Sequence, residues 1–183
     1  MNKYLIIDTE TGGLEPSKHS LLEFAAILAD DKFNIDATFS TPIKSKDGNY
    51  VVSAKALEVN GMSLDHIDRY GNTPDIIASQ LDFLLRGEEQ LTVVGHNISF
   101  DLQFIEGPIG EVIKKHSKRR PIDTSAIASF LISLGHISPK SGSLQNLADY
   151  FDIKRDAQHR ALSDAKTTLS LLQRFACQIK FQA

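Results

Sequence analysis

After a short polar start, the chain runs Leu5, Ile6 and Ile7 without interruption and then stops at Asp8. A continuous apolar run closing on a polar residue predicts a central strand, over residues 4–8, covered on both faces. Residues 21–30 (LLEFAAILAD) and 34–43 (NIDATFSTPI) predict two more strands, antiparallel neighbours of the first. Turn chemistry follows in SKDGNY, residues 45–50. A further buried strand is expected over residues 91–96 (LTVVGH), and a short one ending at Asp123.

The remaining apolar positions fall at helical spacing. Ile77, Leu81, Leu84 and Leu85 share one face of residues 73–87, with Thr73 placed as the cap and Pro74 at the first helical position. Residues 98–106, 125–135 and 143–151 predict further helices, the last with Ser143 as N-cap. From about Arg160 to Ile179, a stripe of Leu162, Ala165, Leu169, Leu172 and Ala176 predicts a long final helix. Strands come first and then alternate with helices, so the expected class is α/β with a mixed sheet, in one domain over residues 1–183.

Composition narrows the function classes. A 42% hydrophobic, 23% charged chain is an ordinary globular one, and a net charge of −3 excludes a uniformly basic coat for nucleic acid. The single cysteine, Cys177, cannot form an intrachain disulfide, which predicts a reducing compartment. No apolar stretch approaches the ~20 residues a membrane span requires. The N-terminus enters a strand pattern directly, so a cytoplasmic protein without membrane association is expected.

Chemistry concentrates in three short stretches. Residues two apart on a strand share a face, so Asp8 and Glu10 project together while Thr9 points away. Alone, such a pair is more often the polar end of a strand than a cation site. Gly12 and Gly13 would permit positive φ and close approach of a substrate. The second stretch is VVGHNISFD, in which Asp101 sits on the first turn after a buried strand. If that strand lies parallel beside the first, Asp101 faces Asp8 and Glu10. The third is QHRALSDA, with His159 five residues before Asp164. Five residues turn a helix by ~500°, so the two cannot share a face, and His159 must reach over from the loop or first turn.

The stretches DTETGGL, GHNISFD and HRALSDA, in this order, resemble the three motifs of the DEDDh 3′–5′ exonucleases, the family of bacterial polymerase III proofreading subunits and ribonuclease T. LLEFAAI, ALEVNGM and PIDTSAIA extend the resemblance to nearly the whole chain. It implies a ribonuclease-H-like three-layer fold with a mixed five-stranded sheet flanked by helices. It further implies Asp8, Glu10, Asp101 and Asp164 as ligands of two divalent cations, Mg²⁺ or Mn²⁺, and His159 as general base. The oxygen-only donor set agrees, and four carboxylates balance two such ions in charge.

By the same resemblance, Thr9, Thr11, Gly12, Leu14, Asn60, Met62, Asn97 and Phe100 hold the terminal nucleotide, with Leu14 pressing on its base. Phe104 shares a helical face with Phe100 and reads as core. Lys114, Lys115, Lys118, Arg119 and Arg120 form a basic cluster, either a phosphate track or a solvated loop. The other histidines (His19, His66, His96, His116 and His136) receive no role. The implied activity is hydrolysis at the 3′ end of single-stranded nucleic acid, DNA before RNA, releasing nucleoside 5′-monophosphates. Trimming of RNA 3′ ends is the alternative. A polymerase remains open as a partner, and the oligomeric state is not indicated. A non-catalytic binding module would be expected to lack one of the four carboxylates or the histidine, and all five are present.

Overall fold

A computed structural model describes residues 2–156 and 160–180, excluding the side chains of residues 179 and 180. Its sheet comprises β1 (Tyr4–Thr11), β2 (Leu21–Ala29), β3 (Ile35–Pro42), β4 (Thr92–Gly95) and β5 (Ile122–Asp123). The strand order is β3-β2-β1-β4-β5, with β1–β2 and β2–β3 antiparallel and β1–β4 and β4–β5 parallel. This is the expected mixed five-stranded sheet.

Alternation along β1 sorts its side chains between two layers. Leu5 and Ile7 pack with Phe24, Leu28 and Val93 against α3 (Pro74–Leu84) and α5 (Pro108–His116). Ile6 packs on the other face with Ile27, Val94 and three residues of α8 (Ala161–Lys180): Ala165, Leu169 and Leu172. The expected α8 stripe is therefore the sheet-facing one. Leu171 and Phe175 point elsewhere, packing with α6 (Thr124–Ser133) and α7 (Leu144–Tyr150).

Three helices lie outside the sequence-based expectation: α1 (Ala54–Asn60), α2 (Leu64–Tyr70) and α5. The first two are seven residues each, too short to show a periodic stripe, and their signal is capping instead. The hydroxyls of Ser53 and Ser63 accept from the amides of Ala56 and His66, and Gly61, at φ 62°, closes α1. Ser143 caps α7 as expected. Thr73 takes the N-cap position of α3 without a side-chain bond, so Pro74 alone marks that start chemically. β1 also runs past its expected end at Asp8 to Thr11, because pairing with β2 continues to Thr11 opposite Leu21 across a bulge. Both Asp8 and Glu10 thus sit on regular strand. Among the described residues, no helix is long and apolar enough to cross a membrane.

Candidate active site

Period two puts Asp8 and Glu10 on the Ile6 side of β1, facing α8. There they meet Asp164 from the first turn of α8, and one carboxylate oxygen from each lies within 4.8 Å of the others. Thr9 belongs to the opposite face. Its hydroxyl donates to Asp101 Oδ1 at 2.7 Å, in a buried bond between β1 and α4 (Ile98–Phe104). The four expected acids are therefore three in one cluster and a fourth beside it, oriented by Thr9.

The cluster is electrostatically unbalanced. Burial, and then the charges of Asp101, Asp164 and Glu10, push Asp8 well above the usual carboxylate range. Burial and Asp164 push Glu10 to about 8. Asp101 is raised to about 7 by burial, against the lowering effect of its Thr9 bond. Buried carboxylates in this condition need a positive partner. An oxygen-only donor set of this kind could hold a divalent cation, with Asp8, Glu10 and Asp164 as the residues close enough to share it and Asp101 beside them.

Three residues of the site carried no expectation. Glu23 stands directly opposite Glu10 in the β1–β2 register, where like charges oppose each other. It is only 2% exposed, and its carboxylate accepts from Arg160 Nε and Nη2 at 3.1 and 2.8 Å and from the Ala161 amide at 3.1 Å. Glu23 thereby holds the N-terminal end of α8, three residues before Asp164. Arg155 is the third, pairing with Asp164 and Gln145. One signal for Glu23 was present in the sequence: a single acid inside LLEFAAI must find a cation if that strand is buried.

The nucleotide-binding expectations divide. The Thr11 carbonyl accepts from Asn60 Nδ2 at 3.3 Å, and Asn60 Oδ1 accepts from the Met62 amide at 3.0 Å, so these three form one wall. Met62, Gly61, Ser63, His66 and Arg160 line a cavity of about 280 Å³. Leu14 is 82% exposed. Phe100 is half-buried and meets the ring of Phe104, which is core, at a tilt of 49°. The backbone N–H of Asn97 donates to Asp123 Oδ1 at 2.9 Å.

The positive φ expected of the two glycines is corrected: neither has it. A Cβ at Gly12 would lie 2.5 Å from the Val51 carbonyl, and one at Gly13 2.4 Å from the His19 ring. Their small size lets the chain pack on itself. The basic cluster is also split. Lys115 turns to Asp82 at 2.6 Å, while Lys114, Lys118 and Arg119 line a separate cavity of about 520 Å³ floored by Val93, Leu102 and Ile105. His159 lies outside the described residues.

Comparison with known proteins places this geometry. The family model described as Exonuclease (RNase_T) matches residues 5–172. A PolC-type DNA polymerase III of Thermotoga petrophila is 26% identical over 177 residues, covering 97% of this chain and 12% of that relative. The DNA polymerase III subunit epsilon of Treponema pallidum is 29% identical over 173 residues, covering 92% of this chain and 74% of the relative. The chain thus spans only about an eighth of the PolC-type relatives' length. Among solved structures, E. coli exonuclease I in complex with a dT13 oligonucleotide superposes with a TM-score of 0.83 at 18% identity. That match covers 99% of this chain and 42% of the other, and it fits the ribonuclease-H-like fold.

Proposed function

Because the chain belongs to the exonuclease family whose model it matches, we propose that it removes nucleotides from the 3′ ends of single-stranded DNA in a divalent-metal-dependent reaction, releasing nucleoside 5′-monophosphates. The observation that carries this reading is the convergence of Asp8, Glu10 and Asp164 without a compensating charge for all three. A purely structural cluster would be neutralised by the protein itself.

Asp8, Glu10 and Asp164, with Asp101 beside them, would hold Mg²⁺ or Mn²⁺. Bound there, the cations supply positive charge against the scissile phosphate and acidify an attacking water. The protein's own groups do the rest. His159 is the group that would take a proton from the attacking water. Thr9 fixes the rotamer of Asp101. The Thr11–Asn60–Met62 wall and the exposed Leu14 side chain receive the last sugar and base, which requires that base to be unpaired. Separating a terminal pair costs a few kcal/mol, so single-stranded ends are favoured. The oligonucleotides bound to exonuclease I support DNA as the substrate. The epsilon-subunit relative supports a polymerase as a candidate partner.

The test is release of mononucleotide from end-labelled single-stranded DNA, duplex DNA and RNA, with Mg²⁺ and with chelator. The expected order is single-stranded DNA first, with no turnover in chelator. Faster turnover of RNA would favour 3′-end trimming of RNA, and undiminished turnover in chelator would remove the metal-dependent reading.

A further inference from the structure

Arg155 and Arg160 bracket the short stretch that contains His159, and each ends on a carboxylate of the site. The two carboxylates differ in kind. Arg160 binds Glu23, which stands outside the cation-holding trio. Arg155 binds Asp164, which is inside it. The Arg160 side chain is 49% exposed, whereas those of Arg155 and Asp164 are 8% and 11% exposed.

Arg155 is also incompletely satisfied. One terminal nitrogen donates to Asp164 Oδ1 and the other to Gln145 Oε1, but Nε is buried with no partner among the described residues. A buried donor without an acceptor is costly, so the attraction of the acidic cluster holds the guanidinium in an otherwise imperfect seat. Gln145 comes from α7 and Asp164 from α8, so this one side chain ties the segment before His159 to both helices.

Asp164 is thus claimed twice. An oxygen that accepts a guanidinium N–H cannot direct the same lone pair at a divalent ion, and two cations sharing one partly buried carboxylate repel each other strongly. Glu23 and Arg160 face no such competition, because Glu23 is not one of the trio.

We propose that Arg155 is an internal counter-cation that competes with the divalent ion for Asp164, so that ion binding unseats the Arg155 side chain while the Glu23–Arg160 pair stays in place. Positive charge is kept on Asp164 until a divalent ion arrives, and the ion's apparent affinity is lowered by the fraction of molecules in which Arg155 is seated. The displaced guanidinium stays tethered beside the site. This rests on the reading of Asp8, Glu10 and Asp164 as a cation site, given under the proposed function.

The experiment uses Mn²⁺ and the full chain without substrate. Calorimetric titration compares wild type with Arg155→Gln, and phenylglyoxal labelling read by peptide mass spectrometry follows each arginine with and without the ion. The expected result is about tenfold tighter Mn²⁺ binding in Arg155→Gln. In wild type, Mn²⁺ should sharply raise labelling of Arg155 and leave Arg160 unchanged. The labelling arm needs no variant, so misfolding of Arg155→Gln does not stop the test. If Mn²⁺ binds wild type and Arg155 stays protected, the competition is refuted while the cation site stands. If Mn²⁺ binds neither protein, the cation site itself is refuted.

Discussion

Two acidic groupings in this molecule use the same side chains to opposite ends. Where α3 meets α5, Asp82 accepts from Lys115 Nζ at 2.6 Å and from His116 Nε2 at 2.8 Å, while His116 Nδ1 bonds the Glu88 carbonyl at 2.7 Å. The Lys115 ammonium and the His116 ring hold Asp82 below the usual carboxylate range. At the end of β1, burial and neighbouring charge hold Asp8, Glu10 and Asp101 above it. The first grouping is finished by the protein and serves the fold. The second is left short of positive charge, and that deficit is the basis of the proposed cation site.

The largest expected contrast comes from removing one acid of each kind. Asp8→Asn or Asp164→Asn should abolish nucleotide release, a loss of several kcal/mol in transition-state stabilisation, and Asp8→Asn, which has no cationic partner, should also raise the melting temperature of the metal-free protein by relieving repulsion. Asp82→Asn should do the reverse, lowering the melting temperature and leaving kcat unchanged. Calorimetric melts and initial rates on the three variants check this. Full activity in Asp8→Asn would erase the distinction between the two groupings.

Next in size is the pH dependence of metal-free stability. Glu10 rises from 4.5 to about 8 and Asp101 from 3.8 to about 7 on folding. The folded protein therefore holds more protons than the unfolded chain between these limits. This stabilisation is complete below pH ~4 and is lost as pH rises through the folded values, on the order of a few kcal/mol for each group. Denaturant titrations from pH 4 to pH 9 should show stability falling in that window, and added Mg²⁺ should flatten the fall. The Asp82 grouping has a depressed carboxyl and contributes the opposite slope at lower pH.

Two smaller effects sharpen the boundary of the site. Glu23→Gln should cost about 1–3 kcal/mol, because Arg160 and the Ala161 amide lose a charged acceptor, and it should lower kcat more than it raises KM. Thr9→Val removes the bond that restrains Asp101 from rising further. It should lower activity less than tenfold and move the acid limb of the pH–rate profile upward, by roughly the ~1 kcal/mol of one hydrogen bond.

Much of this was legible in the sequence. Leu5–Ile7 announced a central strand because burial on both faces leaves no alternation to misread, and Asp8, Glu10 and Asp164 were correctly brought together. What was not legible depends on tertiary partners. Helices α1 and α2 are two turns each and held by caps, which a search for apolar stripes passes over. The separation of Asp101 from the trio follows from Thr9 facing the opposite layer, and becomes visible only once the sheet has two covered faces. Arg155 lies outside the helices in the polar stretch DIKRD, residues 152–156, and pairs with Asp164 only once α8 is in place. The expected strand end at Asp8 was too early because register with β2, not hydrophobicity, decides how far β1 extends.

The central claim is that the acids at the end of β1 form a cation site and those at the α3–α5 contact do not. Crystals grown with Mn²⁺ and measured for anomalous scattering test it directly. The account predicts a strong peak coordinated by Asp8, Glu10 and Asp164, a second on the Asp101 side when nucleotide is present, and no peak at Asp82. Absence of manganese from the trio at millimolar concentration, or a peak at Asp82 instead, would contradict it.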